Sequence, residues 1–425
     1  MASSRLVCLG LIGWLGFGLT SVAFAQVKPI KWADAVQLTR DHNPEIKAAE
    51  ASVRQAYSRA GASRSGLFPE VTGSISAGRT STTGIGDLTQ TNYEAGINAT
   101  QNLFTGFGDL ARMKQTRALT EAAEAELRTI KAKVSSELKG NFQYVVYSKA
   151  NVELSRQIVT RREYNLQMVQ LRFESGRENK GSVLLSKAYL EEARLGLLQA
   201  ENGLRVAQAQ LKKSMGLEAD AQLEVLGEVP FNEPSRSIID FKSLVTLTPN
   251  HQQAIAQEAA AEQEIGVARS RFFPSLNLSG GTKRTDSEFF PNRGQEWAIG
   301  LSLSIPIFAG GRDYYASRVA ADAYISSSRA RENLDRTLLA SLQQSHAAYV
   351  EAHSRYRTNL AFKEALEVRA KVARAKYNQG LLTFDDWDVI ENDLIDRERR
   401  FLSSGLERVT SEAAWEQTQG KGVIP

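Results

Sequence analysis

A short acidic stretch near the end of the chain holds the densest group of chemically capable side chains in the sequence. Residues 380–393 read GLLTFDDWDVIEND and carry five carboxylates: Asp385, Asp386, Asp388, Glu391 and Asp393. Such a group can ligate a metal, form an acid/base pair, line a pore as a ring, or simply begin a solvated helix. Gly380 marks a turn directly before the acids. The residue types alone leave these four uses open.

The rest of the chain gives no support to catalysis or metal binding. The four histidines are scattered, and the two on one helix face, His346 and His353, lie seven residues apart, roughly 10 Å along the axis. That spacing is too wide for one metal, so we predict solvated helix positions. The glycine motifs lack the phosphate-loop pattern, and the acids lack calcium-loop spacing. We therefore expect no catalytic residue, cofactor, metal or nucleic-acid partner.

The first 25 residues are predicted to be a signal peptide. Arg5 precedes an apolar run over residues 6–24, and Ala23 and Ala25 supply the small residues of a cleavage site. A membrane anchor is the alternative, but glycines interrupt the run. Cleavage would remove Cys8, the only cysteine, and with it any disulfide or thiol nucleophile. No later segment reaches the eighteen apolar residues of a membrane helix, so any membrane-inserted part must consist of strands.

The mature sequence consists of two copies of one unit. Two proline landmarks recur after 205 residues and two glycine landmarks after 204, which holds register over the whole chain. The paired positions are Pro44 and Pro249, Pro69 and Pro274, Gly106 and Gly310, and Gly176 and Gly380. A duplicated unit of roughly 200 residues follows.

Each copy predicts the same series of elements. A helix of about six turns begins at a proline, two strands follow, and a very long helix is succeeded by a return helix. The predicted ranges are 44–66, 70–79, 91–103, 107–175 and 182–214 in the first copy, and 249–271, 275–282, 297–305, 311–379 and 384–417 in the second. The apolar residues of the long helices form a narrow seam, which predicts sideways packing against similar helices.

The strands have the alternation of a membrane β-barrel. In the last strand we predict one face towards lipid (Trp297, Ile299, Leu301, Leu303) and the other towards the lumen (Ala298, Gly300, Ser302, Ser304). Four strands cannot close a barrel, and lipid does not tolerate open edges. Two chains would give eight strands with a filled interior, and three would give twelve. The pattern predicts a closed oligomer without fixing its number.

The order and spacing of these motifs resemble the TolC-type outer-membrane efflux proteins over essentially the whole mature chain. The resemblance rests on Asn43-Pro44, Phe68-Pro69, Asn102-Leu-Phe104-Thr-Gly106, Phe273-Pro274 and Pro306-Ile-Phe308-Ala-Gly310, with the turn glycines Gly176 and Gly380. It implies a mainly α fold with membrane β: a homotrimeric twelve-stranded β-barrel in outer-membrane lipid, continued by an α-helical barrel in the periplasm of a Gram-negative bacterium.

The resemblance also implies partners and a division of the chain. The partners are a periplasmic adaptor and an inner-membrane transporter of the RND, ABC or MFS type, in a tripartite pump or a type I secretion system. The repeats are residues 26–214 and 248–417. Residues 215–247 and the tail, 418–425, would form a belt around the helical barrel. A periplasmic coiled-coil adaptor or scaffold without a pore is the alternative function.

The same resemblance gives the acidic stretch a place. Gly176 and Gly380 would lie at the periplasmic tips that contact the adaptor, and Asp386 would form an acidic ring at the aperture, with Asp385 and Asp388 as further candidates. Tyr377 fits a hydrogen bond that holds the tip closed. Ser182 stands where its aspartate partner would be, so the closed state must be held differently, with Arg177, Glu178 and Lys180 as candidates. A bland helix cap is the competing interpretation of the acids.

Overall fold

A computed structural model describes residues 29–82, 88–218, 223–235, 238–289, 291 and 294–425. The predicted signal peptide, residues 1–25, lies outside the described residues. The elements in chain order are α1 (Trp32–His42), α2 (Pro44–Ser63), β1 (Glu70–Thr82), β2 (Leu88–Thr105), α3 (Gly108–Glu174), α4 (Lys180–Met215), α5 (Phe241–Leu247), α6 (Pro249–Ser270), β3 (Ser275–Asp286), β4 (Gln295–Ser304), α7 (Arg312–Asn378) and α8 (Phe384–Thr418).

The structure confirms every predicted helix and strand and adds two short helices. The strands run further than the alternation indicated, with β2 reaching 18 residues. The helices that the sequence did not predict, α1 and α5, have only 11 and 7 residues. Asp240 caps the start of α5, since its carboxylate accepts hydrogen bonds from the backbone N–H groups of Lys242 and Ser243. Such short helices depend on packing and caps more than on periodicity.

The four strands form one antiparallel sheet in the order β1-β2-β3-β4. The central pairing of β2 with β3 joins the two repeats, with a bulge between Asn102 and Phe104. Paired residues lie on one face of a sheet, and the register therefore places the apolar residues of all four strands together. That face carries Val71 and Ile75, Ala95 and Ile97, Leu276 and Leu278, and Trp297, Ile299, Leu301 and Leu303.

The opposite face of the sheet is polar. Its central row pairs Ser74 with Gly96, Gly96 with Lys283, and Lys283 with Glu296. The Lys283 ammonium lies 3.7 Å from a carboxylate oxygen of Glu94 and 3.7 Å from one of Glu296. Among the residues that the structure describes, nothing covers the apolar face at Ile75, which is 89% exposed, or at Trp297, which is 76% exposed. The register thus produces the two-faced sheet that the alternation predicted.

The helices form a layer four helices wide. Both long helices have 67 residues, on the order of 100 Å. Near the sheet, α3 packs against α2 and α6, and α6 packs against α7; towards the other end, α3 packs against α4 and α8, and α8 packs against α7. No helix in the described part of the chain is long and apolar enough to cross a membrane.

Helix α2 continues the line of α4 end to end, and α6 continues the line of α8. Asn43 caps α2 and also donates its amide N–H to the carbonyl of Ser214, 2.8 Å away, in the last turn of α4. Gly216 follows α4 with φ +69°, and a Cβ there would lie 2.4 Å from the carbonyl oxygen of His42. Gly420 plays the same part after α8, against the ring of Pro249. Glycine is needed at both junctions because φ is positive and a Cβ would collide with the neighbouring residue.

The segment between the repeats and the C-terminal tail pack on the middle of the helical layer. Val225 joins a buried cluster with Leu138, Phe142 and Leu211. The backbone N–H of Asn232 donates to the buried carboxylate of Glu412 on α8, 2.9 Å away. In the tail, Ile424 packs against Ile46 and Val134. These contacts tie both segments to the middle of α3 and to the last two turns of α8.

Candidate functional site at the helical tips

Two glycine turns form the end of the helical layer that is remote from the sheet. Gly176 follows α3 with φ +73°, and Gly380 follows α7 with φ +80°. The next N–H returns to the helix in each turn, from Arg177 to the carbonyl of Arg172 (2.8 Å) and from Leu381 to that of Lys376 (2.9 Å). This is the glycine-ended motif of a helix C-terminus, which requires left-handed backbone at the glycine. The predicted turns are confirmed.

Tyr377 is the centre of the tip. Its side chain is fully buried and stacks on Trp387 with ring centroids 4.5 Å apart and planes within 6°. The guanidinium of Arg172, from the first repeat, lies 4.6 Å from the centroid of the Tyr377 ring and donates to the Tyr377 carbonyl at 2.8 Å. Phe384 and Val169 complete the cluster. The aromatic residues of the acidic stretch therefore pack between helices.

Glu178 connects the two tips through hydrogen bonds. The Tyr377 hydroxyl donates to Oε2 of Glu178 at 2.9 Å, and the Ser182 hydroxyl donates to Oε1 at 3.0 Å. Burial, and then the hydrogen bond to this carboxylate, raise the pKa of Tyr377, so the phenol stays protonated as a donor. The carboxylate that Ser182 lacks is thus supplied by Glu178, one of the three candidates that the sequence offered.

Asp386 has a cap contact, and it is exposed. The Thr383 hydroxyl donates to Oδ2 of Asp386 at 2.7 Å, and the Asp386 backbone N–H donates to the Thr383 hydroxyl oxygen at 3.2 Å. This is a reciprocal cap at the start of α8. Asp385 beside it is exposed as well. The helix-cap interpretation therefore describes Asp386 within one chain, and both exposed carboxylates remain available to a neighbouring copy.

Asp388 does not share this exposure. Its side chain is turned into the helical layer, where Nη1 of Arg162 lies 3.6 Å away and the Asn392 amide donates at 2.9 Å. Burial raises the pKa of Asp388, and the cation of Arg162 opposes that effect. The structure therefore separates the three candidate acids: Asp385 and Asp386 lie on the surface, and Asp388 lies inside a buried ion pair with α3.

Further ion pairs continue from Asp388 along α8. Glu391 is completely buried and lies 2.6 Å from the guanidinium of Arg374, and Glu398 lies 3.0 Å from that of Arg161. Sequence reasoning did not identify these pairs. The signal was present, because Glu391 and Glu398 share helical spacing with the buried Leu394 and Ile395. An acid on an apolar helix face predicts a buried basic partner.

The remaining candidates for metal binding were the clustered acids and the histidines. No group of three or more histidine, cysteine, aspartate or glutamate side chains among the described residues could hold a metal ion. The prediction that His346 and His353 are solvated was wrong. His346 packs edge-on against Trp415, 5.1 Å between centroids, and His353 stacks on Phe231 at 5.6 Å. Aromatic side chains of α8 and of the segment between the repeats cover them.

The comparisons with known proteins agree on one family. A model described as outer membrane efflux protein matches residues 35–217 and 246–417. Protein CyaE of Bordetella pertussis is 27% identical over 65% of this chain and 60% of its own length. The alkaline protease secretion protein AprF of Pseudomonas aeruginosa is 25% identical over 68% of this chain and 63% of its own. The chain thus spans about three fifths of each of these two relatives.

Solved structures share the fold. The outer-membrane channel OprN superposes with a TM-score of 0.82 over 92% of this chain and 90% of that chain, at 20% sequence identity. The likeness covers nearly the whole of both chains and shows that they share one fold.

Proposed function

Because this chain belongs to the outer membrane efflux protein family, we propose that it is the outer-membrane exit duct of a tripartite efflux pump or a type I secretion system. The observation that carries the proposal is the sheet. Its large apolar side chains share one face, where those of β4 are exposed in the single chain, and its other face is mainly polar. A sheet with one apolar and one polar face suits a barrel wall between lipid and a water-filled lumen.

The open edges of the chain support a ring of copies. Strands β1 and β4 have no partner on their outer sides in the described sheet. At the tip end the helical layer is bounded by α4 and α7, and both carry exposed apolar residues: Leu184, Leu195 and Val206 on α4, and Val368 and Val372 on α7. Packing the α7 edge of one copy on the α4 edge of the next closes a ring. A homotrimer gives the twelve strands that the family resemblance implies.

The tips supply the aperture in this proposal. In a trimer, Asp385 and Asp386 of three copies approach the axis and form an acidic ring, while Asp388 holds α8 to α3. The hydrogen bonds from Tyr377 and Ser182 to Glu178 hold the two tip turns of each chain together in the closed state. The turns at Gly176 and Gly380 face the periplasmic adaptor, which connects the duct to an inner-membrane transporter of the RND, ABC or MFS type.

Membrane fractionation, unheated gel electrophoresis and bilayer conductance test the proposal on the whole protein. The wild type should be recovered in the outer membrane as a heat-dissociable oligomer that conducts ions. Leu301→Arg should abolish assembly, because arginine near the midplane of the lipid face costs ~2–4 kcal/mol. Ser302→Arg, one residue further along the same strand, is the matched control on the polar face.

Two results would contradict this function. A water-soluble periplasmic monomer would favour the adaptor or scaffold. Loss of assembly in Ser302→Arg with normal assembly in Leu301→Arg would mean that the polar face meets lipid, which reverses the orientation of the sheet.

A further inference from the structure

A crevice of about 500 Å³ opens between α2 and α3, next to the sheet. Six side chains define its character: Tyr57, Arg64, Leu110, Met113, Lys114 and Arg117. Three of them are cations and two are apolar, and Leu110 is 50% exposed. The crevice therefore combines positive charge with an apolar wall.

The acids that line the crevice already have partners. Glu121 lies 3.4 Å from Nε of Arg117, and Glu124 accepts a hydrogen bond from the Tyr57 hydroxyl. Arg64 and Lys114 contact no carboxylate in the part of the chain that the structure describes. Two unpaired cations in one crevice favour an anion with several oxygens, because a guanidinium binds phosphate in a bidentate manner and an ammonium adds a point charge.

The position of the crevice suits the surface of a membrane. Leu67 and Phe68, which precede β1, are 53% and 67% exposed and lie in the chain between Arg64 and the sheet. Helix α3 begins at Gly108, three residues after β2 ends, and Lys114 lies six residues, ~9 Å, beyond the start of this helix. The headgroup layer on each side of a bilayer is about 5–8 Å thick. Lys114 thus lies near the level of lipid phosphates if the sheet spans the hydrocarbon.

We propose that this crevice binds the headgroup of an anionic phospholipid in the inner leaflet of the outer membrane. Arg64 and Lys114 hold the phosphate, and the acyl chains run along Leu110 and Phe68 onto the apolar face of the sheet. The inference rests on the proposed membrane insertion. A second copy of the chain fits less well, because the end of α7 nearest the sheet offers no net negative charge: Arg312 is paired with Asp313, and exposed Arg318 is followed one turn later by exposed Asp322.

Native mass spectrometry of the detergent-extracted oligomer, titrated with phosphatidylglycerol or phosphatidylcholine, tests the site. The wild type should retain phosphatidylglycerol in preference to phosphatidylcholine. Arg64→Gln with Lys114→Gln should weaken phosphatidylglycerol binding by about tenfold or more, since each lost bond to a charged group changes affinity by roughly that factor. Arg64→Lys with Lys114→Arg keeps both charges and should restore most of the binding.

The matched control removes two positive charges from α2 outside the crevice, at Lys47 and Arg54, by Lys47→Gln with Arg54→Gln. This variant should bind like the wild type. Equal losses in the crevice and control variants would reduce the effect to overall charge and overturn the site. So would equal retention of the two lipids by the wild type. A crevice variant that fails to assemble even in phosphatidylcholine would mean that the crevice is a subunit contact. A wild-type protein that never enters vesicles would refute the proposed function instead.

Discussion

Removing one oxygen atom from Tyr377 should make the duct leak. Tyr377→Phe keeps the stack on Trp387 and the contact with Arg172, and it deletes only the donor to Glu178. A hydrogen bond to a carboxylate contributes ~1.5–3 kcal/mol when it is well buried. Because Glu178 is only half-buried and keeps Ser182 as a donor, we take a value below this range, about 1 kcal/mol per chain.

In the proposed trimer, three chains that open together multiply this effect. About 3 kcal/mol in total raises the ratio of open to closed ducts by roughly two orders of magnitude. Single-channel recording in planar bilayers measures the open fraction, and susceptibility to a large antibiotic that enters through an open duct measures it in cells. Tyr356→Phe, at a tyrosine of the same helix that packs on Phe401 away from the tip, is the control.

The coupling to Glu178 decides the interpretation. Glu178→Gln should also increase the open fraction, and the double variant with Tyr377→Phe should add little to either single change, since both remove one interaction. An open fraction in Tyr377→Phe equal to that of Tyr356→Phe would refute the reasoning. Fully additive effects would show that the two side chains act separately and that their hydrogen bond does not hold the tip.

Three further predictions concern the charged groups. Asp386→Asn should reduce both cation selectivity and block by a trivalent cation without changing oligomer yield. Asp393→Asn, further along α8, should change both much less. Unchanged selectivity and block in Asp386→Asn and in Asp385→Asn would leave only the helix-cap interpretation. The raised pKa of Asp388 means that the folded chain binds its proton more tightly than the unfolded chain, so this group's contribution to the free energy of unfolding falls as pH rises from about 4 through the raised value. The difference between wild type and Asp388→Asn in thermal melts over that range should show this slope, and a constant difference would contradict it. Lys139→Met should destabilise the helical layer by about 3–5 kcal/mol because it leaves Glu412, 2.9 Å away and buried, without its cation. Adding Glu412→Leu should recover only part of the loss in denaturant unfolding, because it removes the acceptor of the Asn232 N–H groups.

The sequence predicted the backbone far better than the partners of its side chains. Helices of 67 residues and strands of ten or more residues have strong periodicity, and the duplication repeats each signal. The glycines with positive φ at the tips could also be located from the sequence, because the residue preference of a helix-ending turn is local. Contacts between distant segments could not be located. The acidic stretch alone does not indicate that Asp388 pairs with Arg162 while Asp386, two residues earlier, is exposed.

The two tips show why the duplication alone did not decide the site. Their backbones are alike, with glycine in the same conformation after helices of equal length. Their side chains are different: the first tip supplies Arg172 and Glu178, and the second supplies Tyr377 and Trp387. Tyr377 contacts a guanidinium on one ring face and a carboxylate at its hydroxyl group, so the two tips must carry different residues. The exposed acids likewise occur after the second glycine only, where Asp385 and Asp386 open α8. The two copies therefore share a backbone structure but contribute different side chains to the tip. The first copy supplies the groups that hold Tyr377, and the second supplies the tyrosine itself and the proposed acidic charge at the aperture.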